Sequence, residues 1–294
     1  MIMANQKMTH KQELAARRAE AEATKTARTQ QVKKRKIATW STIGVVLVAI
    51  ITVMILVVTT NANNKLSVSE TSPNAMSSNG AILTSKTEVV KGTGYNLDSG
   101  KGVESKTLLQ DSKVPHIELY IDYDCPHCKE FEDTNAKFLD SLLETKKATV
   151  EYKPIVVIGS NLSISGGNAA ACVAEYAPER FNDANTALFA QHGQQNVSVS
   201  KTIKNLGIQG DTGDQVNNCV SSKVFSKWLE KATAQALERK DSAGQTMVTG
   251  TPTVIIDGVK YPYAPAQFQT FMNAMINGHK TVNEVIKEAD AAAK

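Results

Sequence analysis

The chain has 294 residues, enough for one or two domains, and an ordinary composition for a globular protein outside one uncharged segment. Its formal net charge is +4, but the first 36 residues hold ten Lys or Arg and three Glu, so the remainder is mildly acidic. The positive charge therefore gives no indication of nucleic-acid binding, and we expect no nucleic-acid partner.

The N-terminal 60 residues have the pattern of a membrane anchor. A basic cluster at 33–36 is followed by an uncharged stretch whose centre, 43–58, is almost entirely aliphatic. With its flanks this stretch reaches the roughly 20 residues that a membrane span needs. Because positive flanks stay in the cytoplasm, we predict a single-pass signal anchor over 37–60 in the cell membrane, with the N-terminus cytoplasmic and everything after residue 60 extracytoplasmic. A cleavable signal peptide is the alternative, although the leading region is long for one.

Two polar segments flank this anchor. The basic tail, 1–36, is predicted to stay solvated and to contact anionic lipid at its basic end. Residues 61–80 are polar and contain Pro73, a composition typical of a linker. A globular domain is predicted to begin near residue 81, with β-like pieces over 81–90 and, after a Gly-rich turn, up to residue 109.

The most informative motif is Cys125-Pro126-His127-Cys128, which lies between a strand pattern and a helix pattern. Two thiols in this spacing at the start of a helix are what thiol–disulfide exchange requires. The unpaired N–H groups and the dipole of the helix favour a thiolate at the first thiol. We therefore predict that Cys125, at the exposed end of the helix, is the exchange thiol and that Cys128 is the buried resolving thiol. His127 adds a charge or a hydrogen-bond donor near the thiolate.

The elements around the motif indicate one α/β domain. In chain order we predict a strand over 114–123, a helix over 129–143, a strand over 149–158, a helical block over about 166–245 that includes one helix over 212–237, a strand–turn–strand hairpin over 248–261, a helix over 267–276 and a tail helix over 281–294. The strands on either side of the helical block are too few for two sheets. We therefore predict one mixed sheet over 81–280, interrupted by a helical insert.

The four cysteines allow other interpretations. A structural zinc site needs four ligands, and Cys172 and Cys219 each stand alone, so we predict no metal. A purely structural bond between Cys125 and Cys128 would close too small a loop to stabilise much. In an oxidising compartment leftover cysteines usually pair, so we predict a Cys172–Cys219 disulfide, with two buried free thiols as the alternative. The histidines are predicted to be surface or capping residues, at positions 116, 192 and 279.

The motif, the helical block and the run Gly250-Thr251-Pro252-Thr253 together resemble the DsbA family of disulfide oxidoreductases. The resemblance covers roughly residues 85–280 and is greatest to membrane-anchored members with one extracytoplasmic domain. It implies a thioredoxin-like fold, with a mixed sheet, flanking helices and a helical insert, preceded by one transmembrane helix. It also implies that Pro252 is a cis-proline opposite the disulfide and that Thr251 pairs with a substrate peptide.

The activity that the resemblance implies is the introduction of disulfide bonds into exported proteins with reduced cysteines. The redox-active Cys125–Cys128 disulfide would be the only redox group, without a further cofactor. A membrane oxidase of the DsbB or VKOR type would reoxidise it. The alternatives are a disulfide isomerase or reductase of the same fold and, from another class, a non-catalytic binding or chaperone-like module.

One position departs from the family pattern. Many relatives carry a buried acid six residues before the first cysteine, where this chain has Leu119. The alternation of the strand predicts that Glu118 points to the opposite face. Asp122 matches another common acid of the family and is the candidate for proton transfer to Cys128, with a water molecule as the alternative.

Overall fold

A computed structural model describes residues 66–100, 102–110 and 112–292. The predicted basic tail, the signal anchor over 37–60 and the start of the linker lie outside these residues. Within the described part of the chain, no helix combines the length and the apolar character that crossing a membrane requires.

The elements follow one another as a β-sheet domain with a helical insert. The strands are β1 Ala81–Ser85, β2 Glu88–Val89, β3 His116–Ile121, β4 Thr149–Pro154, β5 Thr253–Ile256 and β6 Val259–Lys260. The helices are α1 Ser105–Leu109, α2 Pro126–Glu144, α3 Asn161–Tyr176, α4 Phe181–Phe189, α5 Val199–Lys204, α6 Gly210–Ser222, α7 Ser226–Glu238, α8 Phe268–Gly278 and α9 Val282–Ala292. Short 3-10 turns cover Asn74–Met76, Leu97–Ser99, Pro178–Arg180 and Pro265–Gln267.

The strands form one mixed sheet in the order β2-β1-β4-β3-β5-β6. The central strand β3 runs parallel to β4 and antiparallel to β5. Helix α2 connects β3 to β4, as a parallel pair requires. Because β3 is central, the chain leaves the middle of the sheet immediately before the Cys-containing motif. The end of β4 lies on one side of the end of β3, and the start of β5 lies on the other.

One face of the sheet carries the main apolar core. Ile117, Leu119 and Ile121 alternate along β3 and pack into this core, as their period of two predicts. Aromatic rings join the helices that cover the face: Phe268 of α8 lies 5.2 Å from Phe131 and 6.3 Å from Phe138 of α2, between ring centroids. These contacts fix α2, and therefore its N-terminus, against the sheet.

The helical insert, α3 to α7, lies between β4 and β5 in the sequence. Its central helix α3 has a fully buried run of small residues over 169–174, which allows neighbouring helices to approach closely. A disulfide joins Cys172 of α3 to Cys219 of α6, with 5.8 Å between their Cα atoms. The insert therefore has its own covalent tie in addition to its apolar packing.

The opposite face of the sheet carries a buried network of charged groups. The Lys153 ammonium lies 2.7 Å from the Glu151 carboxylate and donates to the Ser78 carbonyl oxygen at 2.6 Å. The Arg239 guanidinium donates two hydrogen bonds to Glu118, at 2.6 and 3.0 Å. Glu118 therefore points away from the apolar core, as its position in β3 predicts.

Three predicted segments differ in the structure. Residues 69–80 were predicted to be linker, but Ser69 pairs with Val224 and Trp228 through the backbone and Met76 is fully buried. Hydrogen bonds satisfy the buried hydroxyl groups of Ser72 and Ser78, which a polar composition alone does not reveal. The β-like piece before residue 109 is instead a 3-10 turn and α1. The single helix over 212–237 is two helices, broken where Lys223 adopts φ +54°.

Candidate active site

Cys125 is the N-cap residue of α2 and Pro126 occupies the first helical turn. Proline suits this position because its missing N–H would have no partner there and its φ is already helical. No acidic side chain lies in the first turn, so the positive end of the helix dipole is not offset there. The prediction of an exposed Cys125 is wrong, since the residue is only 5% exposed. A substrate must therefore reach a sulfur atom that is largely covered.

Hydrogen bonds make Cys125 an acidic thiol. The Cys128 thiol, the Thr251 side chain and the backbone N–H groups of Cys128 and His127 stabilise its thiolate and lower its pKa to about 5, against an opposing effect of burial. In the protonated form its thiol donates to the Thr251 carbonyl oxygen at 3.2 Å. At neutral pH the reduced form therefore carries a thiolate at Cys125.

Cys128 has the opposite character. It is 1% exposed, and burial together with the neighbouring Cys125 raises its pKa above the ordinary range of a thiol. The backbone N–H of Asp122 lies 3.5 Å from its sulfur. The two cysteines are not bonded to each other in this structure. The pair thus combines one nucleophilic thiolate with one buried thiol that keeps its proton.

Thr251 and Pro252 lie opposite Cys125, and the peptide bond between them is cis. A groove of about 210 Å³ extends from Pro252 along β5 and β6. Its walls combine aromatic side chains, such as Phe131 and Tyr261, with charged ones, Glu130 and Lys260. The site can therefore hold a peptide segment beside the cysteine pair.

A family model described as Thioredoxin matches residues 110–274, which is more than half of the chain. The chain belongs to the thioredoxin family. The predicted thioredoxin-like α/β fold with a mixed sheet and a helical insert is confirmed.

Several solved structures are similar to this thioredoxin-family chain at low identity. The MdbA thiol-disulfide oxidoreductase from Corynebacterium diphtheriae is 18% identical over 71% of this chain and 95% of its own, with a TM-score of 0.48. DsbA from Mycobacterium tuberculosis is 23% identical over 73% and 99%, with a TM-score of 0.45. MdbA from Actinomyces oris is 21% identical over 56% and 80%, with a TM-score of 0.44. No curated protein sequence matches the chain.

The side chain of His127 lies apart from the thiol in this thioredoxin-family site. Its ring is 75% exposed and lies 3.5 Å from the Glu130 carboxylate, which is also exposed. The contribution of His127 to the Cys125 thiolate is its backbone N–H. The part of the residue that acts on the thiol is therefore the main chain at the start of α2.

The predicted proton-transfer candidate occupies a specific hydrogen-bonding position. The Asp122 carboxylate is 1% exposed and accepts from the backbone N–H groups of Val157 and Ile158, each at 2.9 Å. It also accepts from the N–H of Asp124 at 3.0 Å. Leu119 lies in the apolar core, with no exposure. The role of Asp122 in proton transfer stays a prediction.

A buried acid that the sequence analysis missed is Glu132. It lies one helical turn after Cys128, and Asn185 of the insert donates to its carboxyl group at 3.2 Å. Burial raises the pKa of Glu132 to about 8, with further contributions from Asp140 and Asp133. The i, i+4 spacing from Cys128 on α2 was the signal available in the sequence.

Replacing Glu132 by Gln is expected to stabilise the domain at pH 8. Its folded pKa lies above the ordinary 4.5, so between pH 4.5 and about 8 the folded state holds a proton that the unfolded state has released. Stability therefore falls as pH rises through this window, by a few kcal/mol, and a neutral Gln removes the fall. Urea unfolding of both proteins from pH 4.5 to 8.5 measures the difference. Glu144→Gln, an exposed glutamate at the other end of α2, is the control. Equal pH slopes in wild type and Glu132→Gln would contradict the assignment.

Two of the three histidines predicted to be surface or capping residues contact specific side chains. His116 is largely buried and its ring lies 3.0 Å from Glu151 and 2.8 Å from Thr149. His192, which follows α4 of the insert, lies 3.2 Å from the carboxylate of Asp124, the residue before Cys125. His279 is the C-cap of α8, as a capping role predicts. Within the described residues, no cluster of three or more His, Cys, Asp or Glu could hold a metal ion.

Proposed function

We propose that this protein is a membrane-anchored, extracytoplasmic thiol:disulfide oxidoreductase of the DsbA type that introduces disulfide bonds into exported proteins. The observation that carries the proposal is the contrast within the cysteine pair. The pKa of Cys125 is lowered to about 5, whereas burial raises the pKa of Cys128. A stabilised thiolate favours the reduced form of the protein, which makes its disulfide a strong oxidant.

The exchange proceeds in two balanced steps. A substrate thiolate attacks the Cys125 sulfur of the oxidised pair; the bond to Cys128 breaks, and Cys128 leaves as a thiolate that takes up a proton. A second substrate thiolate then attacks the substrate sulfur of the mixed disulfide, and Cys125 leaves as a thiolate. The substrate has lost two electrons to the cysteine pair and gained a disulfide. Because a thiol of low pKa is a good leaving group, the second step favours release of the oxidised substrate.

Two features support an oxidising compartment outside the membrane. Cys172 and Cys219 are bonded to each other, and such structural disulfides persist mainly in oxidising compartments. The basic cluster at 33–36 and the aliphatic stretch at 43–58 have the order of a signal anchor with its domain outside. A membrane oxidase of the DsbB or VKOR type would then accept the two electrons from the reduced pair.

The reduction potential of the Cys125–Cys128 pair tests the direction of exchange. We expect it to lie far above the roughly −270 mV of thioredoxin and near the roughly −120 mV of DsbA. Equilibration with glutathione buffers, followed by alkylation and peptide mass analysis, reports this pair separately from the Cys172–Cys219 bond. A potential near that of thioredoxin would exclude the oxidase and favour a reductase.

A further inference from the structure

Asn185 of the insert connects the two segments that flank the cysteine motif. This asparagine lies on α4 and has no exposure. The hydroxyl of Tyr123, two residues before Cys125, donates to the Asn185 amide oxygen at 3.0 Å. The Asn185 amide nitrogen donates to the carboxyl group of Glu132, four residues after Cys128, at 3.2 Å. One side chain therefore bridges the turn before the first cysteine and the helix after the second.

The insert also encloses the ring of Tyr123 from two sides. The ring lies 4.9 Å from that of Phe189 on α4, between centroids. On α3, Gly166 lies so close that a Cβ atom at this position would meet the Tyr123 ring at 3.0 Å. Tyr123 is 1% exposed. Because close-packed side chains transmit a displacement to their neighbours, the position of Tyr123 depends on the helices of the insert.

The turn that contains Tyr123 leads directly to the reacting sulfur. The N–H of Cys125 donates to the Asp122 carbonyl oxygen at 3.0 Å, so Cys125 is the junction between this turn and α2. The backbone N–H groups of His127 and Cys128, at the start of α2, stabilise the Cys125 thiolate. The bridge is bonded both to the turn and to α2, so it fixes the thiolate and its donors relative to each other.

We propose that Asn185 is a positioning residue through which the insert holds the Cys125 thiolate against the N–H groups of α2 and so raises the reduction potential of the cysteine pair. The inference rests on the disulfide exchange proposed above. Hydrogen bonds to a thiolate exist only in the reduced pair, because both sulfur atoms are uncharged in the disulfide. An arrangement that preserves these bonds therefore stabilises the reduced form and makes the disulfide a stronger oxidant.

Glu132 takes part in this bridge as an acceptor without a charge. Burial raises its pKa to about 8, so its carboxyl group is protonated at pH 7. Tyr152 of β4 is a further hydrogen-bond partner of the same carboxyl group. A neutral carboxyl group can accept from Asn185 without placing a negative charge one turn from Cys128, where it would disfavour the thiolate of the pair.

The test is the reduction potential of Asn185→Leu at pH 7, measured on the full chain by equilibration with glutathione buffers. One glutathione disulfide takes two electrons from the reduced pair, and its sulfurs take one proton from Cys128 and one from water. Leu has a similar branched shape but neither donates nor accepts. We expect the equilibrium constant to shift about tenfold towards the oxidised protein, which lowers the potential by about 30 mV. Peptide mass analysis after alkylation reports the Cys125–Cys128 pair alone.

Asn182→Leu is the matched control. Asn182 lies on the same helix, is 8% exposed, and donates to Asp140 near the far end of α2 at 2.9 Å. It joins the same two helices away from the motif, so we expect a loss of stability, measured by urea unfolding, with the wild-type potential. Tyr123→Phe keeps the ring and removes the donor to Asn185. It should lower the potential in the same direction and serves if Asn185→Leu does not fold.

Three results would overturn the proposal. The first is a wild-type potential in both Asn185→Leu and Tyr123→Phe. The second is an equal fall in Asn182→Leu, which would show that any loosening of the insert lowers the potential. The third is an equal fall in Glu132→Gln, which keeps an acceptor for Asn185 and would assign the effect to the carboxyl proton. A wild-type potential near that of thioredoxin would count against the proposed function instead, since the inference depends only on the difference between variants.

Discussion

Cys125→Ser is expected to abolish disulfide exchange, with a loss of about 10³-fold or more in the oxidation rate of a reduced dithiol substrate. Cys125 carries the thiolate of the pair, with a pKa lowered to about 5, so no other residue of the motif can form the mixed disulfide. Cys128→Ser, offered a substrate that already carries a disulfide, should instead accumulate the mixed disulfide: the Cys125 thiolate attacks, one substrate sulfur leaves as a thiolate, and the buried thiol that could displace the substrate is absent. Non-reducing electrophoresis and mass analysis of the trapped adducts measure both outcomes.

The control for this experiment is Cys172→Ser/Cys219→Ser. These cysteines are bonded to each other in the insert, so we expect exchange to persist in this variant under conditions where it remains folded. Substrate oxidation by Cys125→Ser at the wild-type rate would disprove the mechanism. Tight substrate binding by Cys128→Ser without a covalent adduct would favour the non-catalytic binding module.

Lys153→Met is expected to destabilise the domain by about 3–5 kcal/mol, since it leaves the buried Glu151 carboxylate without its ammonium partner. Glu151 has no exposure and accepts hydrogen bonds from Ser78 and Ser105, each at 2.6 Å, as well as contacting Lys153. Glu118 lies 3.7 Å from the same ammonium group. Urea unfolding at pH 7, followed by far-UV circular dichroism, measures the loss.

The pH dependence of stability distinguishes this network from a surface pair. Although burial opposes it, Lys153 and His116 lower the pKa of Glu151 to about 2. The stability from this carboxylate is therefore present above its ordinary pKa of 4.5 and is lost as the pH falls towards 2. The control is Lys129→Met, which breaks an exposed ion pair with Asp133 and should cost less than about 1 kcal/mol. Equal losses in the two variants would show that the network adds nothing beyond a surface contact.

The sequence was sufficient for the parts of the fold that depend on local pattern. The alternation of β3 assigned Leu119 to the core and Glu118 to the opposite face, and both are found there. The dipeptide Asp257-Gly258 indicated a tight turn in the sequence, because this pair favours positive φ in two-residue hairpins. Both residues adopt positive φ in the structure. These features are set by neighbours in the chain, so a single sequence reveals them.

Features that depend on distant contacts could not be found in this way. Glu132 lies at the i, i+4 position from Cys128 on α2, but this spacing alone does not reveal its burial, which arises from contacts such as that with Asn185 of the insert. His116 is largely buried, and its ring nitrogen contacts the carboxylate of Glu151 on the neighbouring strand. The segment before residue 81 has a polar composition, yet partners more than 100 residues away satisfy it, among them Glu175, which accepts from Asn74. Pairings of this kind carry no local signal.

The two outermost strands of the sheet have a consequence for the proposed exchange with unfolded substrates. Both β2 and β6 contain only two residues, and each places a charged side chain, Glu88 or Lys260, in solvent. A long, apolar edge strand would expose a row of unpaired backbone N–H and C=O groups, to which an aggregation-prone chain could bind as a further strand. Edge strands that are this short and carry charged side chains disfavour the addition of such a strand. Under the proposed function, the domain would therefore meet an unfolded substrate at Cys125 without pairing with it along the outer strands of its sheet.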